Sequence, residues 1–485
     1  MIPFDNTYAR LPSHFYVRQN PIPVKAPRLL KLNAELLESL GLSATLFSEE
    51  TWAAIFAGNR VPQGAEPLAM AYAGHQFGHF VPSLGDGRAL LLGEVLDRNG
   101  IRRDIHLKGA GRTAFSRNGD GRCPLGPALR EYLISEAFHG LGIPATRSLA
   151  VVHTGETVLR EVPLPGAVLT RVASGHVRVG TFEYFAARGD GAAVRTLSHY
   201  VIHRFFPDLE GSPSPVPALF ERVLDCQADL VARWMHVGFI HGVMNTDNCA
   251  LSGETMDFGP CAFMDNYHPD RVFSSIDSRG RYAYANQPRI VHWNLARFAE
   301  TLLSPDDGGL FEELNVLLQD FPRRFEAYWL SGMRRKLGFF TEEPGDAGLV
   351  QNLFRCMEAH GADFTLAFRL LSDLAGGFLE DSVFVALFEN SEACRAWLAH
   401  WRRRLGREGM EARALGMEMR RVNPAVIPRN HRVEAALRAA EKGDMTPFED
   451  LLCVLRHPFE VVEGFENHAL PPEPGERVLK TFCGT

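Results

Sequence analysis

The stretch Phe239-Ile240-His241-Gly242-Val243-Met244-Asn245-Thr246-Asp247-Asn248, followed nine residues after its last member by Asp257-Phe258-Gly259, decides how the rest of the chain is read. Asn and Asp are hard oxygen donors of the kind that hold Mg²⁺ against nucleotide phosphates. An amphipathic pattern over residues 218–237 leads into the stretch, so it is expected in the loop after a long helix.

Working upstream, two segments combine glycine with arginine: 83–88 (SLGDGR), and 108–112 (KGAGR) continuing to 116–122 (SRNGDGR). Glycine lets backbone N–H groups approach phosphate oxygens, and arginine adds planar charged donors. Arg88, Arg112, Arg117 and Arg122 therefore read as phosphate-facing, against the plainer reading of two hairpin turns with solvated arginines. Lys108 closes the alternating run 104–108 (DIHLK), and a buried ammonium needs an anion partner. On the next helical pattern, 127–141 (PALREYLISEAFHGL), Glu131 is the preferred partner, and Glu136 points to another face. Protein kinases use this arrangement: a strand lysine paired with a helix glutamate, then His, Asn and DFG in order. His241 and Asn248 keep the kinase spacing, but Val243 stands where the catalytic base would be and cannot accept a proton. Asp247 lies directly before Asn248 instead.

The expected fold class is α+β: a bilobal, protein-kinase-like fold with a strand-rich N-lobe, a helical C-lobe and extensions at both ends. The divisions read as 1–65 (N-terminal extension), 66–165 (N-lobe), 166–400 (helical C-lobe) and 401–485 (helical extension with a cysteine-bearing tail). Strands are predicted at 88–96, 104–108, 148–153 and 157–162, the last two as a hairpin turning at Gly155. Helices are predicted at 29–42, 293–302, 310–330, 347–359 and 383–405, with a further arginine-rich helical pattern at 401–421.

The chain resembles the selenoprotein O family, pseudokinase-like protein adenylyltransferases. The residues that carry the resemblance are 71–80 (AYAGHQFGHF), 84–88 (LGDGR), 107–122 (LKGAGRTAFSRNGDGR), 241–248 (HGVMNTDN) and 256–264 (MDFGPCAFM), with 286–288 (NQP) and 427–430 (IPRN). The resemblance implies ATP held in reverse, its triphosphate inside the pocket, and transfer of AMP to Ser, Thr or Tyr hydroxyls of proteins with release of pyrophosphate. UTP is a conceivable second donor. It implies nucleotide contacts from Gly85, Gly87, Arg88, Lys108, Asp120, Gly121, Arg171, Arg178 and Asp257. It also implies Glu131 as partner of Lys108, Asp247 as proton acceptor, and Asn248 with Asp257 as ligands of Mg²⁺ or Mn²⁺. Read without the resemblance, Arg171 and Arg178 look like solvated loop charges. Some members are thought to join a C-terminal cysteine to one after DFG. Cys483 keeps the tail position, but 271–277 (RVFSSID) holds no cysteine. A small-molecule phosphotransferase and a non-catalytic nucleotide-binding scaffold remain the alternatives.

Composition narrows the field further. At roughly 150 residues per domain, the 485 residues amount to about three units. A hydrophobic fraction of 46% with 22% charged residues excludes a disordered chain. The net charge of −7 argues against nucleic acid as a partner. No uncharged apolar run reaches the roughly 18–20 residues of a membrane span, and the first residues do not read as a leader, so a cytoplasmic protein is expected. Eight cysteines without a CxxC spacing argue against a zinc cage or a disulfide framework. His75 and His79 lie four apart as in HExxH, but Gln76 stands where the glutamate is needed.

Overall fold

The computed structural model describes residues 1–303, 308–389 and 391–482. The strands are β1 (Tyr16–Arg18), β2 (Arg28–Leu32), β3 (Leu68–Met70), β4 (Gly74–Gln76), β5 (His79–Val81), β6 (Ala89–Leu96), β7 (Arg102–Lys108), β8 (Cys123–Pro124), β9 (Arg147–Leu159), β10 (Pro163–Ala173), β11 (Phe239–Ile240) and β12 (Ala262–Phe263). The helices are α1 (Ala34–Ser39), α2 (Glu49–Phe56), α3 (Leu125–Gly140), α4 (Val179–Ala186), α5 (Gly191–Phe205), α6 (Pro215–His236), α7 (Gln287–Leu302), α8 (Leu310–Lys336), α9 (Asp346–His360), α10 (Phe364–Ala375), α11 (Asp381–Ala386), α12 (Glu392–Leu405), α13 (Ala412–Arg420), α14 (Asn430–Glu441) and α15 (Thr446–Leu455). The protein is thus α+β, with one large sheet near the N-terminus and helices predominating after it.

The sheet is antiparallel in the order β1-β3-β6-β7-β10-β9-β2, with β8 pairing to β10. Its edges, β1 and β2, both come from the first 65 residues. Period-two alternation divides β7 between two cores. Ile105 and Leu107 pack with Trp52, Ile55 and Phe56 of α2 on one face, so Asp104, His106 and Lys108 point to the other. That second face meets α3, which is buried nearly all round. The buried charges of α3 are accordingly matched, Arg130 with Glu434 at 2.9 Å and Glu136 with Arg147 and Asn33, each at 2.7 Å, and Ser135 bonds Ser148 at 2.8 Å. A continuous apolar cluster runs from Tyr8 through α3, α6 and α7 to Leu455, and a second lies among α8 to α13.

Four local expectations are corrected. The hairpin does not turn at Gly155: β9 runs through it and turns at 160–162, where Arg160 N–H bonds Val162 C=O at 3.2 Å. Gly155, at φ +70°, is a bulge where the chain passes close to Ala26. Residues 29–42 are not one helix. Residues 28–32 pair with β9, and the Asn33 side chain accepts the Leu36 N–H to start α1. The stretch 383–405 is two helices, α11 and α12, with Glu389 at φ +52° between them. Phe384, Val385, Phe388 and Trp397 all reach one core, so apolar spacing continues across the break. The pattern at 401–421 also divides. Gly409 is at φ +67°, and the Glu411 carboxylate caps α13 through the Arg413 and Ala414 N–H groups.

The segment 423–430 lies buried under the chain around Asp265. Arg429 is buried there and binds Asp363 at 2.6 Å and Asp265 at 2.8 Å. Removing one member of such a group strands the others without water. Arg429→Met is expected to lower unfolding free energy by about 3–5 kcal/mol, measured by denaturant titration; an unchanged midpoint would contradict the account.

Candidate active site

The register of β7 against β10 builds the floor of the site. Lys108 stands opposite Leu169 and His106 opposite Arg171, so Lys108 and Arg171 project from the same face. Glu131 on α3 reaches down to both. Lys108 Nζ donates to Glu131 Oε2 at 2.7 Å, while Arg171 donates through Nη2 to Oε2 at 2.9 Å and through Nε to Oε1. Both cations also meet Asp257 Oδ1, Lys108 Nζ at 3.0 Å and Arg171 Nη2 at 3.4 Å. Burial alone would raise the carboxyl pKa values of Glu131 and Asp257. Lys108 and Arg171 beside them prevail, and Asp257 is held far below the usual carboxylate range. Asp257 sits at φ +63°, in the left-handed region that non-glycine residues seldom adopt.

The glycine loops close over this floor. Gly85 is at φ +62°, and Asp86 is pinned by Met70 N–H at 3.0 Å and by His106 Nε2 at 3.3 Å. Thr113 Oγ1 donates to Asp86 C=O at 2.6 Å, and Ser116 Oγ donates to Gly87 C=O, tying the two loops together. Gly111 N–H bonds Gly121 C=O at 3.0 Å, and a Cβ on Gly121 would lie 2.1 Å from the Gly111 carbonyl carbon. Between loops and floor is a cavity of about 290 Å³, lined among others by Gly85, Gly87, Arg88, Asp120, Gly121 and Asp257. Arg117, Arg122 and Arg160 complete its cationic side.

The opposite wall comes from the loop after β11. The buried His241 ring donates to Met256 C=O at 3.0 Å, joining this loop to the DFG segment. Asn248 Nδ2 donates to Val243 C=O at 2.9 Å, which turns its amide oxygen the other way. Val243 itself is a buried aliphatic side chain. Asp247 lines the cavity; its Oδ2 is 3.5 Å from Gln76 Nε2, and Oδ1 has no hydrogen-bond partner. Burial pushes its carboxyl pKa up to about 7. Gly74 and Gly180 make the enclosure possible, because a Cβ would come within 2.5 Å of Asp247 Oδ1 at the first and 2.2 Å of Ala73 C=O at the second. Arg178 lies with its guanidinium 4.2 Å over the Tyr72 ring and donates to Asp247 C=O at 3.2 Å.

Of the residues singled out in the sequence, Gly85, Gly87, Arg88, Asp120, Gly121, Asp247 and Asp257 meet in this one cavity. Lys108, Glu131 and Arg171 lie directly behind Asp257, and Arg178 stands behind Asp247. Arg171 and Arg178 are each only 6% exposed, which overturns the reading of solvated charges. Arg112 does not line the cavity; its exposed side chain bonds the Arg117 carbonyl at 3.2 Å. Asp120 forms an ion pair with Arg160 at 2.8 Å. Residue-by-residue reading missed Arg160, which reaches the site only because β9 runs on past Gly155. It also missed Tyr72, Gln76, Gly74 and Gly180, although the first three stand beside or within the AYAGHQFGHF run. His75 Nδ1 lies 2.5 Å from Glu183 Oε1, while His79 is exposed, so the two histidines do not share a metal position. Cys483 lies outside the described residues; Thr481, two residues earlier, bonds Phe273 C=O through its N–H at 2.8 Å.

The family profile described as "Protein adenylyltransferase SelO" matches residues 1–456. The chain belongs to the SelO family. Relatives named "Protein nucleotidyltransferase YdiU" extend the match over the full length. That of Rhizobium leguminosarum bv. trifolii (strain WSM2304) is 60% identical over 487 residues, covering 100% of this chain and 97% of the relative. That of Rhizobium meliloti (strain 1021) is 58% identical, covering 99% of each, and that of Rhodopseudomonas palustris (strain BisB5) is 57% identical, covering 100% and 99%. The protein is a nucleotidyltransferase of this family.

In this SelO member the crossing of Gly111 and Gly121 leaves no room for a methyl group. Gly121→Ala, at φ +72°, is expected to displace the loop and weaken nucleotide binding by about tenfold or more. Calorimetric titration measures this; an unchanged affinity would remove the loop crossing from the binding site.

Proposed function

We propose that the protein transfers AMP from ATP to Ser, Thr or Tyr hydroxyls of other proteins, within a bilobal kinase-like architecture that holds the triphosphate reversed. The observation that carries this reading is one cavity with two unlike walls. Arg88, Arg117, Arg122 and Arg160 line one side with the glycine loops, and Asp247 faces it from the other. Arginines and backbone N–H groups suit the β- and γ-phosphates, which leave together as pyrophosphate. With the triphosphate held there, the α-phosphorus faces Asp247. The acceptor oxygen attacks the α-phosphorus, the bond from that phosphorus to the bridging oxygen of the β-phosphate breaks, and the hydroxyl proton passes to Asp247. Asp247 Oδ1 has no partner and Oδ2 has only the 3.5 Å contact to Gln76, so the carboxylate keeps acceptor capacity for it.

Lys108 and Glu131 act together in this reading: Glu131 holds the ammonium in place, and Lys108 and Arg171 meet phosphate charge from below. The donor chemistry around Asp257 fits a divalent cation. It offers a carboxylate held ionised and, from Asn248, an amide oxygen turned away from Val243. Among the described residues no three His, Cys, Asp or Glu side chains form a metal cage, as expected where substrate phosphates complete the shell. Mg²⁺ or Mn²⁺ bound by Asn248 and Asp257 would supply charge neutralisation at the phosphates. The cysteines among the described residues are free thiols, and no helix among those residues is long and apolar enough to cross a membrane. Both features suit a protein of the reducing cytoplasm.

Label position tests the reaction. With α-labelled ATP the protein is expected to mark acceptor proteins, and with γ-labelled ATP to mark none. Transfer of γ-label would establish phosphotransfer instead. Asp247→Asn should lower kcat by about 10²–10⁴-fold with ATP still bound, and Asp257→Ala should abolish metal-dependent transfer. Full turnover by either variant would refute the role given to that residue.

A further inference from the structure

On the proposed function the acceptor reaches Asp247, and the wall of the cavity that carries Asp247 is covered by the β4–β5 hairpin. Gln76 of this hairpin faces Asp247, and three arginines surround it, each lying over an aromatic ring. Arg188 is 3.5 Å from the Tyr184 ring centroid and donates to Pro82 C=O at 3.1 Å, just past the end of β5. Arg281 is 4.8 Å from the centroid of Trp293, and its guanidinium carbon lies 3.4 Å from where a Cβ on Gly78 would stand, at the hairpin tip. Arg297 is 5.1 Å from the same Trp293 ring. Trp293 in turn meets His75 with ring centroids 5.2 Å apart, and His75 packs on Phe80, which is 40% exposed.

Only Arg297 of the three has a carboxylate partner, Glu300. Among the described residues Arg188 and Arg281 form no ion pair. Arg188 donates through Nη1 to Tyr184 C=O at 2.7 Å as well as through Nη2 to Pro82 C=O, and neutral carbonyls and a stacked ring leave the guanidinium charge uncompensated. In a chain of net charge −7, a local group of uncompensated arginines is also what an acidic partner segment would need to approach.

We infer that the rim of Arg188, Arg281 and Trp293 around the β4–β5 hairpin docks the acceptor, and that it selects protein segments in which Asp or Glu flanks the hydroxyl. The inference rests on the proposed function, because it takes Asp247 as the group the acceptor must reach. Phe80 and Trp293 supply the apolar contact, and the two arginines set the sign of the charge on either side of it.

The test uses the full chain, α-labelled ATP and three synthetic peptides that carry one Tyr flanked by Glu, Gln or Lys. The Glu peptide is expected to exceed the Lys peptide in kcat/KM by about five- to tenfold, the size of two or three exposed ion pairs. Arg188→Glu should narrow or invert that ratio while ATP binding is unchanged. Because Arg281 also braces the hairpin tip, Arg281→Gln is compared with it for the same shift in ratio rather than for total rate. Equal rates on all three peptides, or a ratio that Arg188→Glu leaves in place, would overturn the inference and leave the transferase reading standing. Label on none of the peptides would overturn the inference, and label on no acceptor protein either would remove the transferase reading with it.

Discussion

Glu131 carries two cations on one carboxylate, and the floor of the site depends on that arrangement. With Asp257 it makes a four-membered group of two positive and two negative charges, set between the sheet and the buried helix α3. Desolvation opposes every member, and their mutual attraction answers it. Neither Lys108 nor Arg171 could stay at its depth without Glu131, because each would then have only Asp257. This explains why α3 is buried nearly all round yet carries charge: each charge it holds has a partner on a neighbouring element.

The same group sets what a ligand must do. In the resting structure Lys108 and Arg171 already engage Asp257 Oδ1. On the proposed reading, Lys108 and Arg171 would turn toward phosphate oxygens, and Asp257, released from them, would help to hold a divalent cation that neutralises phosphate charge. The total charge of the quartet is zero, so the exchange strands none of them. The glycines around Asp247 complement this. Gly74 and Gly180 let β4 and α4 close on a carboxylate, excluding water from it and leaving one oxygen without a partner.

Much of the floor was legible in the sequence because it rests on local periodicity. Alternation in DIHLK places Lys108 opposite Ile105 and Leu107, and helical spacing separates Glu131 from Glu136; both assignments match the contacts observed. The walls were less legible because they depend on register. Arg171 belongs to a strand whose pairing with β7 brings it to Glu131, and nothing local to LTRVASGHVRV indicates that partner. Arg160 enters through a bulge, which slips a strand without changing its composition. The helical breaks at Glu389 and Gly409 were hidden for a related reason: apolar spacing records which residues are buried, and it continues when two helices pack on one core.

Val243 shows how position and chemistry separate. A carboxylate there would sit where the buried Val243 side chain is, on the loop that His241 joins to Met256 and that Asn248 bonds at the Val243 carbonyl. The loop geometry therefore does not need an acid at that point; it needs the carbonyl of Val243 and the ring of His241. The acid appears four residues later, at Asp247, on the face closed by Gln76 and opposite the arginine-bearing loops. Moving the carboxylate while keeping the loop changes which phosphorus lies within its reach, provided the triphosphate follows the arginines. On the proposed reading, cation placement and base placement would then point to the same atom of the nucleotide, the α-phosphorus, and that agreement would tie the glycine loops, the buried quartet and Asp247 into one site.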